Sequence, residues 1–137
     1  MKSIEFDVDK NSGLTKKELE KLLNVWQSKL RVDNWDISIS IVNFGRKDHK
    51  QSGDFVADIS VKKAKILLTA DPFRGDEEYT LVHELIHILL YDYDNFSEGV
   101  LLDRFGADSK QHDKYMEKLE EAAHHLTEIF LGRSCSR

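Results

Sequence analysis

The sequence predicts an α+β fold with one helix, a small sheet and then two further helices in chain order. Residues 15–30 carry leucines and a tryptophan at helical spacing, whereas three later segments alternate apolar and polar residues with the period of a half-buried strand. The chain has 137 residues, which suits a single domain with a buried core. We expect this domain to span residues 1–131, followed by a short polar tail at 132–137.

Local sequence patterns predict the first helix and the sheet. Thr15 and Glu18 have the spacing of a capping box, which marks the start of a helix. Strands are expected over residues 35–42, 54–61 and 64–70, and the last two are close enough in the sequence to pair as a hairpin. The sequence therefore predicts a small, mainly antiparallel sheet of three strands.

Two further helices are expected after the strands. Three acids at residues 76–78 suit the positive N-terminus of a helix better than a second metal site, and this helix continues through residues 79–92. The sequence predicts that residues 92–110 form an irregular connection with a short helix at 100–105. The final helix is expected over residues 111–131, with an apolar stripe along one face.

Composition and charge argue against several classes of function. The net charge of −5 disfavours a nucleic-acid partner. The longest apolar run, residues 81–91, is too short and too polar for a membrane span, and the charged N-terminus does not fit a secretory signal. The lone Cys135 cannot form an intramolecular disulfide and has no obvious base nearby, so we expect a cytoplasmic protein without a cysteine nucleophile.

The apolar stretch LVHELIHILL contains the motif H-E-x-x-H. His83 and His87 are four residues apart, which places both imidazoles on one face of a helix, within reach of a single tetrahedral metal ion. Glu84 is turned about 100° from His83, where a carboxylate can contact a water on that ion without being a ligand. Because zinc lowers the pKa of bound water to about 7, this pattern predicts a hydrolytic zinc site with Glu84 as general base.

The alternative is a pair of core histidines that are satisfied by ordinary hydrogen bonds. Burying two imidazoles and a carboxylate without partners costs about 1–3 kcal/mol for each unsatisfied group. A metal ion removes that cost directly, so the zinc site is the favoured interpretation.

The third ligand is not given by the motif. Catalytic zinc takes three protein ligands and leaves the fourth position to water. The metzincin extension, with a glycine and a third histidine, is absent, because ILLYDYDNFSE follows His87. The third ligand must therefore come from elsewhere, and the last helix is the richest source of acids and histidines.

The HELIH motif, preceded by a W-D-I strand and followed by EEAAHHLTEIF, resembles the compact gluzincin-type metallopeptidases. These include small metallopeptidases of bacteria and phages and the related ImmA/IrrE and SprT-like groups. The resemblance covers residues 33–131. In the ImmA-like pattern E-x-x-A-x-x-F/L-A the glutamate is a zinc ligand, and this chain matches at Glu120, Ala123 and Leu126, with Thr127 in place of the alanine.

The resemblance implies a minimal zincin-like fold with one zinc ion held by three side chains, His83, His87 and Glu120. Glu120 lies at the edge of the apolar stripe, where it can point into a cleft, and Glu121 on the other side remains an alternative. His124 and His125 are alternative donors, but both project away from the stripe and are expected on a solvated outer face. His112 falls in line with the stripe and suits a cleft or a helix start equally.

The motif and the resemblance together predict a zinc-dependent peptidase that acts on a peptide or protein. As the resemblance implies, the third predicted strand, residues 64–70, would rim the cleft and pair with an extended substrate. Three tyrosines are candidate oxyanion donors that no spacing distinguishes, namely Tyr91, Tyr93 and Tyr115.

A second hypothesis is a non-catalytic or latent zinc-binding module of the same fold, with residues 92–110 covering the metal. A fourth protein ligand would favour this module, whereas an open position for water would favour the peptidase. Hydrolysis of a soluble substrate other than a peptide is a third alternative.

Overall fold

The computed structural model describes residues 4–6, 14–42, 53–70 and 77–132. Its elements in chain order are β1 (Ile4–Phe6), α1 (Lys16–Lys29), β2 (Asp36–Val42), β3 (Gly53–Asp58), β4 (Lys63–Thr69), α2 (Glu77–Leu89), α3 (Tyr91–Phe105) and α4 (Lys110–Leu131). The described residues therefore form an α+β fold, which confirms the predicted class. Asp76, at the expected helix start, and Cys135, with the rest of the tail from residue 133 onward, lie outside them.

The sheet is four-stranded and mixed, with the order β1-β2-β4-β3. The predicted hairpin is confirmed, because β3 and β4 pair antiparallel, with Phe55 opposite Ile66. The prediction of three mainly antiparallel strands is wrong, since β2 pairs in parallel with both β1 and β4. A three-residue strand such as β1 is too short to show an alternation in sequence, and the hairpin pattern does not show on which of its two outer edges, or in which direction, β2 pairs.

The core lies between the sheet and the helices. On β2, the alternate residues Ile37, Ile39 and Ile41 are fully buried, as the period of a half-buried strand requires. Each such side chain stabilises the fold by about 1.5–3 kcal/mol relative to exposure. The other fully buried aliphatic side chains come mainly from α1, β4 and α2, and they are Leu19, Leu23, Ile66, Leu68, Leu81, Val82, Leu85, Ile86 and Ile88, together with Ala123 of α4. Among the described helices, none has the length and apolarity that a membrane span needs.

The helix α1 is tied down at both ends. Its capping box is formed as predicted: the Glu18 N–H donates to Thr15 Oγ1 at 3.2 Å, and the Thr15 N–H donates to Glu18 Oε1 at 3.0 Å. At the other end, the buried Gln27 donates from Nε2 to the carbonyl oxygens of Val32 and Trp35, both at 3.0 Å. This side chain therefore fixes the turn that leads from α1 into β2.

The first turn of α2 is acidic, as predicted, and both of its acids also bind α1 or the short segment before it. Glu77 is buried and accepts the Leu14 N–H at 2.6 Å, while the Trp26 indole donates to Glu78 Oε2 at 2.9 Å. These two contacts anchor the start of α2, and with it the position of the histidines that follow about two and three turns later.

Residues 92–105 belong to one helix, so the helix expected at 100–105 is confirmed but begins earlier, and the prediction of an irregular connection before it is wrong. No residue of α3 is buried, and the helix therefore lacks the apolar stripe by which an amphipathic helix is recognised in sequence. Polar contacts hold it against α4 instead. The Tyr115 hydroxyl donates to Asp94 Oδ1 at 2.6 Å, and His112 Nε2 lies 2.8 Å from Glu98 Oε2.

Candidate metal centre

The helices α2 and α4 pack against each other and bring together the three side chains that the sequence singled out as metal ligands. One ligand atom from each of His83, His87 and Glu120 lies within 4.8 Å of the other two. The Glu120 carboxylate bridges the imidazoles, with Oε1 2.6 Å from His83 Nε2 and Oε2 3.2 Å from His87 Nε2. The His-His-Glu cluster could therefore hold a metal ion.

The cluster is buried on its helix α2 side and open on its helix α4 side. His83, Glu84 and His87 are only 9%, 7% and 8% exposed, whereas the Glu120 side chain is 61% exposed. Solvent or a ligand can thus approach from the Glu120 side, while the histidines are held by the surrounding core.

The electrostatics of the cluster depend on this burial. Desolvation raises the pKa of Glu84 to about 7, despite the opposing effect of the two histidines. The hydrogen bonds from His83 and His87 hold the pKa of Glu120 far below its usual range. Burial by itself would lower the pKa of His87, but the hydrogen bond to Glu120 and the nearby charge of Glu84 raise it.

The donor set fits a zinc ion. Two imidazole nitrogens and one carboxylate oxygen are a ligand set of catalytic zinc sites. The Glu120 carboxylate lies within 3.2 Å of both Nε2 atoms, so all three side chains can reach the same ion. One feature departs from the common pattern, in which a ligating histidine donates its other ring N–H to a protein acceptor. His83 Nδ1 is buried and has no hydrogen-bond partner among the described residues.

Aromatic rings pack against both histidines. Phe55 of β3 stacks on His87, with ring centroids 5.6 Å apart and planes at 17°. On the other side, His124 meets His83 edge to face, at a centroid distance of 5.5 Å. Tyr79 lies nearly parallel to His83 and its hydroxyl contacts His124 Nδ1. These rings limit the orientations that the two imidazoles can adopt.

The expectation that His124 and His125 both lie on an outer face is wrong for His124. This residue is half-buried between α2 and α4, whereas His125 is exposed. Tyr79 was not among the candidate residues. It precedes His83 by four residues, so helical spacing alone places it on the same face of α2, but its pairing with His124 depends on tertiary packing.

The strand β3 passes close to the general-base candidate. A Cβ atom on Gly53 would lie 2.4 Å from Thr80 Cγ2 and 3.1 Å from Glu84 Oε2. A side chain at position 53 therefore does not fit unless the Thr80 side chain or its surroundings shift, and glycine allows the strand this close approach.

The prediction that residues 64–70 rim a cleft is wrong. This segment corresponds to β4, which lies inside the sheet between β2 and β3 and has both edges paired. The edge strand beside α2 is β3. A hairpin predicted from sequence does not reveal which of its two strands faces outward, because that depends on where β2 inserts.

The remaining candidates lie outside the cluster. His112 pairs with Glu98, and Glu121 forms an exposed ion pair with Lys118 at 3.3 Å. The hydroxyls of Tyr91 and Tyr115 bind Ala57 and Asp94, and Tyr93 is 69% exposed. None of these side chains belongs to the His-His-Glu group among the described residues.

In comparisons with known proteins, no family model matches this chain, and no curated protein or solved structure matches it. The function is therefore argued from the geometry of the site.

Proposed function

We propose that this protein is a zinc-dependent peptidase with a minimal zincin-like fold. The observation that carries the proposal is the convergence of His83, His87 and Glu120 next to the buried carboxyl group of Glu84. In this proposal the first three side chains hold one zinc ion and Glu84 is the general base.

Glu84 has the environment that a proton-transfer residue needs. Zinc, when bound, supplies a Lewis acid and lowers the pKa of a bound water to about 7. Glu84 accepts the proton that the attacking water loses, and then returns it to the amine nitrogen as the peptide C–N bond breaks. In the metal-free protein, burial raises the pKa of Glu84 to about 7, so its carboxyl group starts from a value suited to accepting and releasing a proton near neutral pH.

An extended peptide is the substrate that the surroundings of the cluster favour. The strand β3 is an edge of the sheet, and it runs past the cluster from Gly53, beside Glu84, to Phe55, beside His87. The backbone groups of an edge strand can pair with those of a peptide. A peptide held in this way would have its backbone beside the catalytic helix α2.

The number of donor side chains in the His-His-Glu cluster favours a peptidase over a latent zinc-binding module. A structural zinc site is closed by four protein ligands, whereas a catalytic site keeps one position open. Among the described residues the group comprises three side chains, and its Glu120 side faces solvent. His124, the nearest additional histidine ring, is held by Tyr79 and does not join the group.

Metal analysis combined with an activity assay tests this proposal. We expect about one zinc per chain, cleavage of unfolded casein, and loss of both on treatment with a chelator. Glu84→Gln should keep zinc and lower kcat by about 10²–10⁴-fold, because it removes only the proton transfer. Glu120→Ala should weaken zinc binding, whereas Glu121→Ala, the adjacent exposed acid, should leave it unchanged. Full activity in Glu84→Gln would remove Glu84 from the mechanism.

A further inference from the structure

A hydrogen bond at the outer edge of β3 bears on the length of peptide that this strand can bind. Tyr91, the first residue of α3, donates a hydrogen bond from its hydroxyl to the carbonyl oxygen of Ala57 at 3.3 Å. Ala57 is the last residue but one of β3. A side chain of the protein itself therefore occupies one of the acceptors that this edge would offer to a substrate.

The groups on this edge can be identified from the alternation of an antiparallel pair. Backbone N–H and C=O groups of alternate residues turn to the same side of a strand. The Phe55 N–H donates to Asp54 Oδ1 at 2.8 Å, and the Ala57 carbonyl accepts from Tyr91, so both residues turn these groups away from β4. Gly53, Phe55 and Ala57 are therefore the residues that a peptide would meet.

Two side chains that bind this edge, those of Asp54 and Tyr91, are held very differently. Asp54 is exposed and accepts the N–H of its own neighbour, so a peptide can displace it at little cost. The ring of Tyr91 is fixed between two others. It meets Phe55 edge to face at 5.8 Å and the buried Trp35 at 6.3 Å, with interplanar angles of 83° and 80°. Displacing Tyr91 would disturb this packing as well as the hydrogen bond.

We propose that Tyr91 is a stop that ends the peptide-binding edge at Ala57. The substrate is then a short extended segment whose pairing with β3 ends at Phe55, the residue beside His87. Because a peptide antiparallel to β3 reaches Ala57 with its N-terminal end, the stop limits the substrate on the N-terminal side of the cleaved bond. This inference rests on the proposed peptidase function and names a determinant of its substrate length.

The test uses the length dependence of cleavage. A bond cleaved in unfolded casein by the zinc-loaded protein defines a series of nested peptides, each extended by one residue at the N-terminal end. For the wild type, we expect kcat/KM to stop rising at the residue opposite Phe55. In Tyr91→Phe, which keeps the ring but frees the carbonyl, the ratio of kcat/KM for long to short peptides should rise about three- to tenfold, as one additional hydrogen bond allows.

Two controls separate a stop from a structural role. Tyr93→Phe changes an exposed tyrosine two residues away and should behave as the wild type. Peptides extended at the C-terminal end should respond equally in all three proteins. If kcat/KM in Tyr91→Phe changes by the same factor for all peptide lengths, or if its length dependence is unchanged, Tyr91 does not limit the bound peptide. Either result leaves the proposed peptidase activity unaffected.

Peptide binding supplies a readout that does not need turnover. Fluorescently labelled peptides of increasing length from one fixed casein sequence, chosen independently of cleavage, are titrated into Glu84→Gln and into Glu84→Gln/Tyr91→Phe, with fluorescence anisotropy as the signal. Tighter binding of only the long peptides by the double variant, without cleavage by the wild type, would support the stop and contradict the peptidase. If neither variant binds the peptides, the proposed role of Tyr91 is contradicted, because the freed Ala57 carbonyl then accepts no hydrogen bond from a peptide.

Discussion

The ring of Phe55 lies nearly parallel to the imidazole of His87, with ring centroids 5.6 Å apart and planes 17° apart. A residue of the sheet thus holds a candidate metal ligand in one orientation without a hydrogen bond. The same strand brings Gly53 against Glu84 at its other end. The edge of the sheet and the metal centre are therefore one packed unit.

Phe55→Leu should weaken zinc binding by about tenfold, since loss of the support behind a ligand typically costs 10–100-fold in metal affinity. The leucine keeps most of the buried volume but not the flat contact with His87. Competition with a chromophoric zinc chelator measures the effect. Val56→Ala, on the exposed face of the same strand, is the control and should bind zinc as the wild type does. Equal affinity for Phe55→Leu would show that His87 needs no such support.

His124→Ala should also lower zinc affinity, by about tenfold, because it removes the ring that meets His83 edge to face and holds Tyr79. His125→Ala is a closely matched control, because the adjacent histidine is exposed. Zinc titrations of the two variants, followed by the chelator assay, provide the comparison. The role assigned to His124 fails if both variants bind zinc equally well.

Gly53→Ala should destabilise the protein by about 1–3 kcal/mol, the usual cost of forcing extra atoms into a packed site. The new Cβ would meet Thr80 Cγ2 at 2.4 Å and Glu84 Oε2 at 3.1 Å. Gly99→Ala in α3 is the control, since a Cβ there meets nothing within 4 Å, and it should stabilise by about 1 kcal/mol through helix propensity. Urea unfolding measures both changes. A neutral Gly53→Ala would contradict the close approach of β3 to α2.

The residues of the candidate site could be predicted from the sequence, but only part of the fold could. The histidines and Glu84 follow from helical spacing, which is a local property, and the first helix and the β3–β4 hairpin are local as well. The parallel pairing of β2 and the outer position of β3 depend on contacts between distant segments. Only residues 100–105 of α3 were predicted to be helical, because the helix buries no residue and lacks the apolar period by which helices are recognised.

The same division holds within the site, where local spacing predicts some residues and others depend on tertiary packing. Glu120 was found through a resemblance in the last helix, and its placement between the two imidazoles requires the packing of α4 on α2. The contact of Tyr79 with His124 joins the same two helices and could not be read from either one. Phe55 gave no signal as a site residue, because in sequence it is one of several apolar residues in an alternating strand.

The stability of the metal-free protein should depend on pH through Glu84. Burial raises the pKa of Glu84 from 4.5 to about 7, so between these values the carboxyl group is protonated when folded and ionised when unfolded. Stability from this group is therefore fully present below about pH 4.5 and is lost as the pH rises through about 7.

Glu84→Gln abolishes this titration and should stabilise the metal-free protein increasingly as the pH rises from about 5 to about 8, by up to about 3 kcal/mol. Urea unfolding in the presence of a chelator, at a series of pH values, measures the difference between the two proteins. A difference that shrinks with rising pH would have the wrong sign and would contradict the burial of an ionisable Glu84.

The most direct test of the metal centre is a crystal structure of the zinc-loaded protein, with anomalous diffraction recorded at the zinc absorption edge. We predict one zinc ion per chain, bound by Nε2 of His83, Nε2 of His87 and the Glu120 carboxylate, with solvent at the remaining position. Crystals grown in excess zinc in which the two imidazoles turn apart, each bonded to other protein groups, would contradict the site. A fourth protein ligand on the ion would contradict its use in catalysis.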